Sequence, residues 1–360
     1  MIVKPRVRGF ICTTAHPVGC KASVENQISI VAERGAIEGT ANALIVGASG
    51  GYGLASRIVA AFGCGAATLG VSLEKPPREN KTASAGWYNN IAFEQAAHAA
   101  GLYAKTLDGD AFSDELKAGI IETIRQDLGE IDLLIYSLAS PVRRHPRTGV
   151  VHRSAIKPLG DAVHMKTLNV GNGDVHEIDL DPATEDETLA TIEVMGGEDW
   201  GFWIDALLEA GVLAKNFCTV SYTYIGSELT WPIYWDATLG KAKEDVDRAA
   251  AALRQTLAPL DGRANVAALK AVVTQSSSAI PVVPLYISLL FRVMKDAGNH
   301  EDCIHHIDRL FRQHLYADPA SRPALDESGR IRLDDRELAP AIQNEVERRW
   351  REVTSANIGA

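Results

Sequence analysis

The chain has 360 residues, 46% hydrophobic and 23% charged, which is material for about two domains or one enlarged one. Its net charge of -10 argues against a nucleic-acid binder, because phosphate contacts need a surplus of Lys and Arg. Five scattered cysteines (Cys12, Cys20, Cys64, Cys218, Cys303) make no disulfide framework, and the most apolar stretch, Ala279 to Phe291, carries two prolines and falls short of the ~20 residues of a membrane span, so a cytoplasmic protein without a signal peptide or membrane segment is expected.

From residue 43, short β-rich runs alternate with amphipathic helices. Ala43 to Val46 reads as a buried strand, followed by a glycine-rich turn and a helix with Leu54, Ile58 and Val59 on one face. Ala67 to Leu73 and Tyr103 to Leu107 read as the second and third strands. The next helix starts at Ser113 as N-cap, spaces Leu116, Ile120, Ile124 and Leu128 along one side, and stops at Gly129. Ile131 to Tyr136 is a fourth strand, and Thr219 to Tyr222 and Leu269 to Thr274 are later ones. Strands alternating with helices imply an α/β fold whose parallel sheet is covered on both faces. Residues 141–199 break the rhythm, basic first and acidic from Asp174 to Glu187, and read as an insertion beside the sheet. From about Asp318 the tail is charged, apart from a helix-like piece ending near Trp350.

The turn after the first strand is Gly47-Ala48-Ser49-Gly50-Gly51-Tyr52-Gly53. Its glycines permit a tight turn and close approach of a pyrophosphate to the backbone, with the following helix aiming its N–H groups at the anion. The bland alternative is a packing turn, and the strand-turn-helix context favours the dinucleotide. Glu74 ends the second strand, where an acid accepts bonds from the ribose of NAD and repels the 2'-phosphate of NADP; Lys75 and Arg78 lie beside it. Asp110 and Ala111, and Leu138 and Ala139, fall at carboxyl ends of the third and fourth strands, where such sheets bind ligands.

Farther on, Tyr234 is followed by Gly240, Lys241 and Lys243. A tyrosine beside a cation can stabilise an enolate oxygen or donate a proton. Nine residues at ~100° each set Tyr234 and Lys243 on opposite faces of a straight helix. Cooperation therefore requires Tyr234 to precede the helix, with the bend near Gly240; in a continuous helix Lys241 would be the better partner.

The segments PRVRGFICTTAHPVGC, GASGGYGLASRI, KTLDGDAF, YIGSELTWPIYWDATLGKAKED and VVTQSSSAIPVVPLYISLL together resemble the enlarged single-chain NADH-dependent enoyl reductases. These are FabV-type enoyl-acyl-carrier-protein reductases and trans-2-enoyl-CoA reductases, whose hallmark is tyrosine, eight residues, lysine. The resemblance covers nearly the whole chain. It implies a Rossmann-type doubly wound parallel sheet, short-chain dehydrogenase-like and enlarged, spanning 1–360 as one unit. Insertion 141–199 would form the substrate region, and the tail 318–360 would be shorter than usual. It further implies Tyr234 as proton donor, Lys243 as its partner with Lys241 auxiliary, and Tyr224 touching substrate. Gly47, Ala48, Ser49, Gly50, Gly51, Tyr52, Leu73, Glu74, Asp110, Ala111, Leu138, Ala139, Lys243, Val272, Val273 and Thr274 would contact NADH. Gly50 stands where the family pattern has a hydroxyl residue.

Cys12, His16 and Cys20 make too small a set for a zinc site, and no metal is expected. His300, His305 and His306 read as a solvated face, and Cys218 as a small core residue. The expected activity is NADH-dependent reduction of the trans-2 double bond of an enoyl thioester, on acyl carrier protein or coenzyme A, in fatty acid biosynthesis, by a monomer. The rival readings are a carbonyl reductase of short-chain dehydrogenase type and a catalytically silent NADH-binding sensor. Arg143, Arg144, Arg147, Arg153, Lys157 and Lys166 would form a basic rim that steers an acidic carrier or the phosphates of coenzyme A; the bland alternative is a solvated loop whose charges balance the acidic stretch from Asp174 to Glu187.

Overall fold

Seven strands make one sheet: β1 (Asn42–Val46), β2 (Ala67–Ser72), β3 (Ala104–Asp108), β4 (Ile131–Tyr136), β5 (Leu213–Thr223), β6 (Arg263–Ala268) and β7 (Arg330–Arg332). The structure, a computed structural model, describes residues 2–8, 11–138, 140–274, 277–317 and 323–359. The order across the sheet is β7-β6-β5-β4-β1-β2-β3, with every neighbouring pair parallel. The chain runs outward from β1 to β3, then crosses back to β4. The reversal lies between β1 and β4, and their diverging connections open a crevice at the carboxyl ends.

The helices are α1 (Pro17–Glu33), α2 (Gly51–Ile58), α3 (Ala85–Ala99), α4 (Asp114–Thr123), α5 (Glu185–Met195), α6 (Glu198–Glu209), α7 (Thr238–Thr256), α8 (Val283–Asp296), α9 (Cys303–Leu310) and α10 (Pro340–Glu352). Ala43, Leu44, Ile45 and Val46 are all buried, because each face of a parallel sheet is covered and its strands are apolar on both sides. Alternate residues serve different cores. Ala43 and Ile45 pack with α1, α2, α3 and α9, whereas Leu44 and Val46 pack with α4, α6 and α7. Ser113 caps α4 by accepting the Leu116 N–H at 3.2 Å, and Gly129 at φ 79° terminates its extension.

The expected strand at Leu269–Thr274 is displaced: β6 occupies Arg263–Ala268. β5 ends at Thr223, opposite Ala268, and the pairing with β7 also stops at Ala268. The apolar residues that follow have no strand to join, and they leave the sheet towards the crevice. Residues 141–199 form two antiparallel ribbons, Val142–Arg144 with Val151–Arg153 and Val163–Asn169 with Asp174–Leu180, followed by α5. The tail is more integral than its charge suggests. β7 extends the sheet, and α10 shares a third core with α8.

His306 corrects the solvated-face expectation. It is fully buried, with Nδ1 3.0 Å from Glu301 Oε2 and Nε2 accepting the Lys270 N–H at 3.3 Å. A fixed partner at each ring nitrogen makes such burial tolerable. Cys218 is buried, as expected. Among the described residues, no helix is long and apolar enough to cross a membrane.

Candidate active site

The crevice holds a cavity of about 890 Å³, built around the glycine turn. Gly47 has φ 88°, and a β-carbon there would lie 2.2 Å from the Ser137 carbonyl oxygen; one at Gly53 would lie 2.0 Å from the Gly47 carbonyl oxygen. Only glycine lets β1, the turn and β4 approach this closely. Gly50 is different: its φ of -163° is open to any residue and a β-carbon there would meet open space. The backbone at Gly50 would therefore accept the hydroxyl residue of the family pattern without a clash. No side chain caps α2, so its first N–H groups are left for an anion.

Glu74 sits against this turn. Its Oε1 accepts the Ser49 hydroxyl at 2.6 Å and its Oε2 accepts the Ser84 hydroxyl. A β-carbon at Gly86 would come within 2.0 Å of Oε1, so the acid is boxed in from a third side. Lys75 and Arg78 are exposed, and serines rather than these cations hold the carboxylate. Gly47, Ser49, Gly50, Gly51, Tyr52, Leu73, Glu74, Asp110, Ala111, Leu138, Val273 and Thr274 all line the cavity. Thr274 leans its methyl group over Gly51, and Tyr52 donates its hydroxyl to the Lys270 carbonyl at 2.9 Å. Three expected contacts lie outside this lining: Ala48 is fully buried, Val272 is buried, and Lys243 lines a neighbouring cavity. Ala139 falls outside the described residues. Ala48 still contributes, since its N–H and that of Gly47 share the Val71 carbonyl and fix the turn.

A second cavity, of about 150 Å³, is lined by Lys243, Tyr136, Ser221 and Tyr222, and shares Ser137 and Leu138 with the first. Lys243 therefore faces the cleft beside the carboxyl end of β4. Its surroundings push its ammonium down to about 8 through lost hydration, which Asp247 only partly offsets. Lys241 points away and pairs with Glu244 at 2.8 Å on the exposed face of α7, which removes it as an auxiliary.

Tyr234 precedes α7, directly after the short turn Trp231–Ile233. The bend falls at residues 235–237, not at Gly240, which belongs to the first turn of α7. Tyr234 lines neither cavity. Its ring is buried and meets Tyr224 edge-on, with centroids 4.8 Å apart. Burial pushes its hydroxyl pKa well up, so it holds its proton at neutral pH. Tyr224 donates its own hydroxyl to Glu337 at 2.9 Å. Glu337 carries no sequence signal beyond being one acid in a charged tail.

The basic rim is thinner than its sequence suggests. Arg143 is buried, with Nη2 2.8 Å from Glu198 Oε2; Lys157 pairs with Glu187, and Lys166 donates to the carbonyls of Trp350 and Arg351. Arg144, Arg147 and Arg153 stay exposed. His145, Glu193 and Glu198 cluster beside Arg143. His145 Nδ1 accepts the N–H groups of Arg147 and Thr148, which leaves the proton on Nε2, facing Glu198 at 3.3 Å. The group is an ion-pair cluster.

Strand order, crevice and glycine turn define a Rossmann-type, dinucleotide-dependent oxidoreductase. The model of the trans-2-enoyl-CoA reductase catalytic region matches residues 81–316, and that of the family's NAD(P)H binding domain matches residues 2–79. The chain belongs to this family of enoyl reductases. The enoyl-[acyl-carrier-protein] reductase [NADH] of Saccharophagus degradans is 56% identical over 99% of this chain and 90% of its own length. The trans-2-enoyl-CoA reductase of Treponema denticola, solved with NAD, is 47% identical, with a TM-score of 0.96 over 100% of this chain and 91% of its own. The Clostridium acetobutulicum trans-2-enoyl-CoA reductase, solved with NADH, is 40% identical, also at 0.96, over 100% and 90%.

A further model, described as an enoyl reductase FAD binding domain, matches residues 325–360. Among the described residues, none of that stretch lines either cavity. It supplies β7 to the sheet and packs α10 against α8. The residues do not fit a flavin. By contrast, the glycine turn, the uncapped α2 and Glu74 fit NADH. All three matched stretches contribute strands to the one sheet.

Proposed function

We propose that Tyr234 is the hydrogen-bond and proton donor of this reductase, with Lys243 as the cation that orients the cofactor and sets the field around the reacting groups. The reaction is that of the family: NADH-dependent reduction of the trans-2 double bond of an enoyl thioester to the saturated acyl thioester. NADH, when bound, supplies the hydride that adds to the β-carbon of the substrate.

The remaining work belongs to the chain. The α2 N–H groups hold the pyrophosphate, and Glu74 takes the ribose hydroxyls. Asp110, Ala111, Leu138, Val273 and Thr274 enclose the rest of the cofactor. As hydride adds, negative charge gathers on the thioester oxygen, where a hydrogen bond from Tyr234 is worth most. A buried tyrosine that keeps its proton is in the right form to give that bond. The Tyr234 proton then passes to the enolate, ending at the α-carbon of the saturated product, and the phenolate regains a proton from solvent. The bend before α7 is the observation that supports the assignment. It frees Tyr234 from the straight-helix geometry that would set it opposite Lys243.

For the carrier, the reading favours acyl carrier protein, for which the curated relatives are named. Exposed Arg144, Arg147 and Arg153 stand on or beside the ribbon next to Ser140 and Val142, which line the cavity. They offer positive charge to an acidic carrier or to the phosphates of coenzyme A. The test is loss of NADH absorbance with crotonyl-CoA beside a longer enoyl-acyl carrier protein. Turnover of both, faster on the carrier protein, is expected. Turnover of a simple ketone alone would select a carbonyl reductase, and NADH binding without any turnover a sensor.

A further inference from the structure

Glu337 is fully buried in the stretch after β7, yet both of its oxygens are in use. Oε1 accepts the hydroxyls of Tyr224 at 2.9 Å and Tyr286 at 2.7 Å. Oε2 accepts the Ala271 N–H at 2.6 Å. Lys270, also buried, donates its ammonium to the Ala271 carbonyl at 2.8 Å and is an opposing charge near the carboxylate. A buried carboxylate is costly unless paired and bonded; burial raises the Glu337 carboxyl above its ordinary range, and Lys270 and the three donors offset only part of that.

The two sides lead to different parts of the cleft. Through Oε1 the acid holds the Tyr224 phenol, whose ring stands edge-on to Tyr234. Through Oε2 it holds Ala271, two residues before Val273 and three before Thr274, both of which line the large cavity. We infer that Glu337 is a positioning residue for the reduction, with one oxygen fixing the Tyr224–Tyr234 pair and the other fixing the Ala271–Thr274 segment. The inference deepens the assignment of Tyr234 and rests on it. It also gives the stretch matched by the flavin-domain model a task that needs no flavin.

Leucine tests this because it keeps an extended side chain of similar size and accepts no hydrogen bond. In Glu337→Leu the Tyr224 and Tyr286 hydroxyls and the Ala271 N–H all lose their acceptor, whereas a glutamine could keep Ala271 with its carbonyl and donate its NH₂ to the tyrosine oxygens. Tyr224→Phe deletes only the Tyr224 bond to Oε1 and leaves those of Tyr286 and Ala271. The measurements are kcat with crotonyl-CoA, NADH Kd by fluorescence, and Tm, for both single variants and the double. Tyr224→Phe should lower kcat about tenfold with NADH Kd unchanged, and Glu337→Leu should lower kcat at least as far and weaken NADH about threefold or more. The double variant should be no slower than Glu337→Leu, since both remove the bond between residue 337 and Tyr224. A double loss equal to the product of the single losses would overturn the inference, as would wild-type kcat in Tyr224→Phe. The latter variant keeps the test decisive if Glu337→Leu does not fold. Near-normal turnover by Tyr234→Phe, by contrast, would remove the Tyr234 assignment and leave the Glu337–Tyr224 coupling to be read separately.

Discussion

Gly240 lies so close beneath Trp235 that a β-carbon on it would stand 1.8 Å from the Trp235 carbonyl oxygen. The Gly240 N–H bonds back to the Tyr234 carbonyl at 2.8 Å. These contacts fold the chain tightly between Tyr234 and Lys243. Because the clash would be with backbone, it cannot be relieved by a rotamer change. Gly240→Ala should therefore cost about 2 kcal/mol or more, read as a lower Tm, and should cut kcat about tenfold or more with NADH affinity less affected. Wild-type Tm and kcat would show that the bend tolerates a methyl group.

Glu74 should set the choice of cofactor. Glu74→Ala should narrow the gap between NADH and NADPH in kcat/KM by about tenfold or more, since the carboxylate no longer meets the 2'-phosphate. Ser84→Ala should move preference in the same direction but less, because Ser49 still holds Oε1. Steady-state kinetics with both cofactors checks this. Equal use of both by the unchanged protein would move the discrimination away from Glu74.

The pH dependence follows from Lys243, lowered to about 8 from an ordinary 10.5 by lost hydration. Between these values the unfolded chain holds more protons than the folded one, so this residue's contribution to stability rises with pH across that window. The destabilising cost of the buried charge is full below it. Catalysis should run the opposite way if the charged form orients the cofactor: kcat/KM should fall as pH rises through about 8. Rate profiles of the wild type and of Lys243→Met compare directly. The variant should be slow and lack that limb; a limb of the same midpoint in the variant would assign it to another group.

The exposed arginines should act on the carrier through long-range charge. Arg144→Glu with Arg153→Glu should raise KM for enoyl-acyl carrier protein about fivefold at low salt, with the defect shrinking at high salt, where exposed charges are screened beyond about 10 Å at 0.1 M. A short thioester without phosphates should be unaffected. Arg143→Glu should instead destabilise the fold, because it would set a third carboxylate beside Glu193 and Glu198. Equal loss on the minimal thioester would show that the exposed pair supports the fold.

What was legible in the sequence was local. An apolar run, three glycines and an apolar-faced helix specify the dinucleotide turn within about fifteen residues, and Glu74 follows from its place at the strand end. The likeness of the Tyr234–Lys243 segment to known reductases added the reacting pair, where spacing alone left Lys241 open. Strand β6 was misplaced because apolarity marks where a strand can form, while its neighbours decide where pairing stops. Arg143, His306 and Glu337 were illegible for one shared reason. Their burial depends on partners distant in the chain, such as Tyr224, which lies 113 residues before Glu337. No local pattern separates such a side chain from a solvated one.

The central claim is that Tyr234 stabilises the charge that develops on the thioester oxygen. The most direct measurement is single-turnover NADH oxidation by Tyr234→Phe with crotonyl-CoA, alongside NADH binding by fluorescence. Removing one such donor should slow the chemical step by about 100-fold or more, while NADH Kd stays within about threefold of wild type. Near-normal single-turnover rates, with NADH bound as tightly as in the wild type, would contradict the account and return the donor's role to another group in the cleft.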